Sequence, residues 1–293
     1  MRKPTTSEAG NRRLLIRHQT LYMYGAGASH VALLLKLRPC THDSQKVVHW
    51  SVEVNDETVQ HWNPNGYGDA EALWVHHGHM DMVKIVATGL VETQDRAGVV
   101  TGLPRHVDPA VFLRDTPLTK ANSDIRALVA LPSQEGDLAR LHMLSDMVYK
   151  AVTYSTGATS AASTAAEALA QGSGVCQDHA HIFISAARSA GMPARYVTGY
   201  LLANEDAEAL HETHGWAEAF VSGLGWVGFD PSNGVCVTPN YVRLAIGTDA
   251  HDAAPVRGSV TAAGEISIDA DVRIAQASED ETEQAQQQQQ QQQ

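Results

Sequence analysis

The stretch Gly172-Ser173-Gly174-Val175-Cys176-Gln177-Asp178-His179-Ala180-His181 sets a cysteine behind glycines and directly ahead of an amphipathic, helix-patterned segment. A cysteine at a helix N-terminus faces backbone N–H groups that lack intrahelical acceptors, and the positive end of the helix dipole. Both favour thiolate over thiol, so the attacking form is populated near neutral pH. The same N–H groups can hold an oxyanion as the thiolate adds to a carbonyl. The preceding glycines let the backbone approach a substrate closely, which makes Gly174 a candidate cleft residue. The helix is expected to start near Cys176 and to end at Ala190-Gly191-Met192-Pro193.

A thiolate nucleophile needs an imidazole to form the ion pair and protonate the leaving group, and a third group to orient that imidazole. Downstream come Thr213-His214-Gly215-Trp216-Ala217-Glu218-Ala219-Phe220 and then Gly225-Trp226-Val227-Gly228-Phe229-Asp230-Pro231-Ser232-Asn233. Ser222-Gly223-Leu224-Gly225 between them is a turn signal, so the two segments read as an antiparallel hairpin. Its open end brings His214 and Asp230 face to face. Cys176, His214 and Asp230 are therefore the candidate nucleophile, general base and acid, and orienting carboxylate. Trp216 and Asp178 are further candidates for the substrate cleft.

Further outward, the chain from Leu14 to about Val100 consists of short runs of branched residues separated by turn signals. Val31–Leu37, Lys46–Val54 and Met82–Ala87 read as strands, and residues 12–100 as a β-rich, sandwich-like domain. Pro104, Pro109, Pro117 and Pro132 mark residues 101–135 as a connector with short helical pieces. Apolar residues at Leu138, Leu141, Leu144, Val148 and Val152 recur at helical spacing. Thr164-Ala165-Ala166-Glu167 has the form of a capping box. Arg195–Leu201 reads as another strand. Residues 136–260 thus read as a helix-and-sheet core, and the fold class is α+β. The acidic, glutamine-rich segment 275–293 has nothing to build a core with and reads as disordered.

The segments Gly174–His181, Gly191–Leu201, His214–Glu218 and Gly225–Pro231, at this spacing, resemble the bacterial transglutaminase-like family of proposed cysteine proteases. Tyr241–Gly247 and Pro255–Gly258 look like that family's C-terminal extension, and the first hundred residues like its N-terminal domain. The resemblance implies a papain-like core with Cys on a helix and His and Asp on strands, with Cys176, His214 and Asp230 as the triad. One departure is Gly215, where the family pattern would have Ala. The implied chemistry is amide hydrolysis through a thioester. Acyl transfer to an amine, or an inactive peptide-binding module, are the alternatives, because this core hosts all three. The expected partner is a protein or peptide bearing an amide, and no cofactor is called for.

Composition narrows the classes further. Lys and Arg number 21 against 33 Asp and Glu, a net charge of −12. That disfavours nucleic acid and anionic membrane as partners, since both need a concentrated cationic face. Neither a membrane-spanning run nor the apolar core of a signal peptide is present, so a cytoplasmic location is expected. Three scattered cysteines make no disulfide framework, and Cys40 and Cys236 have no base motif beside them. Cys176-x-x-His179-x-His181 carries metal-ligating residue types, but on one helix they converge poorly, and a metal on the sulfur would quench the nucleophile. His77-Gly78-His79-Met80-Asp81-Met82 begins like a metallo-β-lactamase zinc motif, yet Met82 stands where that motif needs a further His. Those histidines read instead as a turn leading into the Met82–Ala87 strand, and no metal site is assigned.

Overall fold

The computed structural model describes residues 10–104, 107–130, 136–203 and 213–277. In chain order the first strands are β1 (Arg12–Arg38), β2 (Gln45–Val54), β3 (Glu57–Thr58), β4 (Asn63–Pro64), β5 (Ala70–Thr93) and β6 (Val99–Val100). A 3₁₀ turn at Pro109–Leu113, α1 (Ser123–Ala127), α2 (Asp137–Ala151), β7 (Thr153–Tyr154), α3 (Ala165–Gln171), β8 (Ser173–Gly174) and α4 (Cys176–Ser189) follow. The chain then runs through β9 (Ala194–Leu201), β10 (His214–Val221), β11 (Gly225–Asp230), β12 (Val235–Cys236), β13 (Tyr241–Gly247), β14 (Val256–Ala262) and β15 (Ile266–Gln276).

Two antiparallel sheets carry the architecture. The first has the order β14-β1-β5-β2-β3, with β15 also on β1 and β4 on β5. The second has the order β12-β11-β10-β9-β13, with β6 on β11. Helices α1–α4 cover one face of the second sheet. Leu141, Leu144, Val148, Phe183, Ala217 and Phe229 fill that layer. Helix α4 is its centre and is buried from Asp178 to Arg188, as expected of a helix enclosed by other elements. The other face meets the first sheet, where Leu14, Ile16, Val52 and Ile85 pack with Tyr200, Leu202, Val242 and Leu244. Alternation along β1, with Leu14 and Ile16 buried and Arg13 and Arg17 outward, is what turns one face of that strand to the core.

A buried ion cluster joins the sheets. Glu218 on β10 accepts from Arg195 of β9 at 2.6 Å and from Arg243 of β13 at 3.1 Å, with both carboxylate and guanidinium groups almost fully enclosed. Arg243 also reaches Asp69 at 3.4 Å, and its backbone N–H and carbonyl are both held by the Gln45 side chain. The Arg195 guanidinium lies 3.8 Å from the Trp226 ring centroid, which adds a cation–π contact in a desolvated setting.

The structure corrects several expected boundaries. Residues 12–100 do not complete the N-terminal sheet, because β14 and β15 return from the far end of the chain to pair with β1, as in Leu14 opposite Gln276. Ala275 and Gln276 are therefore strand residues, and Ala277 donates to the Arg13 carbonyl; the rest of the expected disordered tail lies outside the described residues. At the other boundary, Val99 and Val100 pair with β11. Within the connector, Ile125 of α1 is buried in the helix layer. The His76–Met82 stretch is not a turn. It stays within β5, and the ladder to β1 absorbs the irregularity as a register shift between Ala28 and His30.

Candidate active site

Cys176 is the first residue of α4, and the local chain explains why the helix starts there. Asp178, two residues in, turns its carboxylate back to accept from the Val175 N–H at 2.8 Å and from Thr159 Oγ1 at 2.6 Å. Gly174 makes room for this. A Cβ at that position would lie 2.6 Å from Asp178 Oδ2. His179 bridges the carbonyls of Val175 and Val152 at 2.8 and 3.0 Å, pinning the same turn to the end of α2. The helix start is therefore held from three directions while its thiol stays half-buried.

The hairpin β10–β11 delivers the other two residues. Register Ala217 opposite Phe229 places His214 and Asp230 at one end of the pair. His214 Nε2 donates to Asp230 Oδ2 at 2.7 Å. Asp230 is fully buried, and its acceptor positions are filled by Ser232 N and Oγ on Oδ1, and by Asn233 Nδ2 and Tyr241 Oη on Oδ2. Burial works against ionising Asp230, but His214 and these donors outweigh it and hold its carboxyl well below the usual range. Burial likewise works against the imidazolium. The Asp230 charge and hydrogen bond, with a further contribution from Cys176, outweigh it and raise His214 to about 10.

Cys176 and His214 line one cavity of about 350 Å³ together with Gln177, Tyr196, Thr198 and Thr213. The N-terminal sheet closes its far side with His18, Thr20, Tyr22 and Ala270. His18 is held between Tyr200 Oη at 3.1 Å and Thr20 Oγ1 at 3.2 Å, and burial lowers it to about 4, so this wall is uncharged. The arrangement presents a thiol, an imidazolium and the first residues of α4 to one space.

The three expected cleft residues lie elsewhere. Asp178 is buried under the helix start, its Oδ2 accepting from both Val175 N and Thr159 Oγ1. Gly174 is buried against that carboxylate. Trp216 is one pleat deeper in β10 than His214, buried beneath Tyr241, and it borders a separate void of about 40 Å³ shared with His42 and Glu218. His181 is fully enclosed. Its Nε2 accepts from Ala250 N at 3.0 Å, and burial lowers it to about 4. Conversely, Ser232, Asn233, Tyr241, Tyr196 and the β1 wall went unassigned in the sequence. Ser232-Asn233 behind Asp230-Pro231 was a visible signal, since both are side-chain donors in a turn.

An α+β core with Cys on a helix and His and Asp on adjoining strands is a papain-like arrangement. Residues 128–231 match the family model of the transglutaminase-like superfamily, and residues 14–92 match that of the bacterial transglutaminase-like N-terminal region. The chain thus joins a bacterial transglutaminase-like N-terminal region to a transglutaminase-like core. An uncharacterized protein of Mycobacterium leprae (strain TN) is 26% identical over 277 residues, spanning 90% of this chain and 99% of that one. An uncharacterized protein of Mycobacterium tuberculosis (strain ATCC 25618 / H37Rv) is 31% identical over 137 residues, 44% of each chain. Among solved structures, a proposed cysteine protease from Cytophaga hutchinsonii superposes with a TM-score of 0.73 at 22% identity, over 92% of both chains, and shares the fold.

Proposed function

We propose that the protein is a cysteine-dependent amide hydrolase acting on a protein or peptide. The observation that carries this reading is that Cys176, at the first position of α4, shares one cavity with a His214 that is charged through its bond to buried Asp230. The Cys176 thiolate adds to the amide carbonyl, with the oxyanion received by N–H groups at the start of α4. The C–N bond then breaks as His214 gives its proton to the leaving nitrogen, leaving a thioester on Cys176. His214, now neutral, takes a proton from water. The resulting hydroxide adds to the thioester, and the C–S bond breaks to return thiolate and carboxylic acid. Asp230 holds the imidazole orientation throughout.

Water is the acceptor this site favours. The cavity wall carries His18, Thr20, Gln177 and Thr198 beside Tyr22 and Tyr196, so polar groups able to hold water flank the thioester. Iodoacetamide labelling of the three cysteines against pH, with peptide mass spectrometry, tests the assignment. Fast labelling of Cys176 near pH 6 that His214→Ala abolishes is expected. Slow labelling, like that of an ordinary thiol with pKa about 8.5, would instead favour a binding module.

A further inference from the structure

Gly215 adjoins His214 on β10, and the structure gives its missing side chain a use. Tyr196 of β9 lies on the α4 side of the sheet, with its ring 5.3 Å from that of His181, and its hydroxyl passes directly over Gly215. A Cβ on residue 215 would lie 1.9 Å from that oxygen and 2.7 Å from Cζ. An alanine there is therefore incompatible with this placement of Tyr196. The hydroxyl is held beside the backbone of His214's neighbour, in the wall of the cavity that holds Cys176.

Two further properties matter. The ring is buried, yet the hydroxyl has no hydrogen-bond partner among the described residues, unlike those of Tyr200, Tyr67 and Tyr241, which are all engaged. The oxygen itself is not among the fully enclosed polar atoms that lack a partner, so it opens on the cavity beside Cys176 and can donate there. Burial, followed by the negative charge of Cys176 and nearby carboxylates, also keeps the phenol protonated. It is a donor across the working pH range.

We propose that the Tyr196 hydroxyl, seated over Gly215, donates a hydrogen bond to the acyl oxygen of the substrate bound at Cys176. It thereby supplies a side-chain donor that complements the backbone N–H groups of α4. This rests on the reading of Cys176 as the nucleophile. The donor has most to offer when the carbonyl oxygen becomes anionic, so its effect falls on acylation rather than on the thiol.

The test compares wild type with Tyr196→Phe in two reactions at Cys176, each followed by intact-protein mass. Acetylation by p-nitrophenyl acetate passes through a tetrahedral oxyanion, with sulfur adding to the carbonyl and p-nitrophenolate leaving. Alkylation by iodoacetamide displaces iodide and forms no oxyanion. Tyr196→Phe is expected to slow acetylation on the order of 10²-fold and to leave alkylation unchanged. Gly215→Ala, which displaces the hydroxyl, is expected to reproduce this pattern. Equal acetylation rates in wild type and Tyr196→Phe would overturn the inference alone, as would a parallel loss of both reactions. A wild type whose Cys176 reacts no faster than an ordinary thiol in either assay would overturn the hydrolase reading and this inference with it.

Discussion

Tyr241 Oη donates at 2.8 Å to Asp230 Oδ2, the same oxygen that accepts from His214 Nε2 at 2.7 Å. Strand β13, which carries Tyr241, thus helps fix the carboxylate that orients the imidazole. Tyr241→Phe keeps the ring but removes this donor from a buried anion. A stability loss of about 1.5–3 kcal/mol is expected, the range for hydrogen bonds to charged groups, read from urea melts at pH 7. A loss near zero would mean that His214 and Asn233 satisfy that oxygen without Tyr241.

The His214–Asp230 pair makes stability and reactivity depend on pH in a definite sense. His214 is raised to about 10 against an unfolded value of about 6.5. Its contribution is therefore complete below pH 6.5 and fades as pH climbs to 10. Asp230 is depressed, so its contribution is present above an unfolded value of about 3.9 and is lost on further acidification. The stability gap between wild type and Asp230→Asn should be widest between those two unfolded values and should close towards pH 10. The histidine ring in that variant should titrate well below its wild-type value, as followed by NMR. A gap that grows with alkalinity would contradict the pairing.

Gly174 makes room for the cap of the protein's own helix. Gly174→Ala drives a Cβ to 2.6 Å from Asp178 Oδ2, displacing the carboxylate that caps Val175 N–H. Loss of a cap of this kind costs about 1 kcal/mol, with the clash in addition. Lower thermal stability, together with slower alkylation of Cys176 as the helix start loosens, is the expected outcome. Asp178→Asn, which retains an acceptor, should be milder on both readouts.

Glu218 is the acceptor shared by two buried guanidinium groups. Glu218→Gln leaves Arg195 and Arg243 without their common anion, and breaking a buried pair in this way costs about 3–5 kcal/mol. Chemical denaturation of the variant measures it. A loss below 1 kcal/mol would mean that Asp69 and the Trp226 ring carry the cations unaided.

Much of the site was legible because its parts are local. The cysteine and its helix, the capping box at Thr164 and Glu167, and the hairpin bearing His214 and Asp230 each occupy a few consecutive residues with their own periodicity. What escaped depends on contacts between distant segments. Nothing near His18 or Thr20 signals that a strand at the start of the chain walls a cavity around Cys176. Gly174 and Asp178 carried a correct local signal, but glycine freedom and an acidic first turn are equally compatible with a ligand and with a cap. The 2.8 Å bond to Val175 shows the cap, which no local pattern could. The return of β14 and β15 was illegible for the same reason, since strand patterning states a face and not a partner.

That return has a consequence for how the chain is made. Leu14 pairs with both Val91 and Gln276, so one neighbour of β1 is synthesised early and the other near the end. Helices α1–α4 and strands β9–β13 lie wholly between these partners and can assemble in sequence as they leave the ribosome. The first sheet cannot. Until residue 276 has emerged, one flank of β1 stays open, with its backbone groups unpaired and Val272 and Ile274 missing from its core. The wall that β1 and β15 place across the cavity is therefore the last part of the site to close. The nascent protein should acquire its thiol–imidazole pair before it acquires a substrate-shaped space around it.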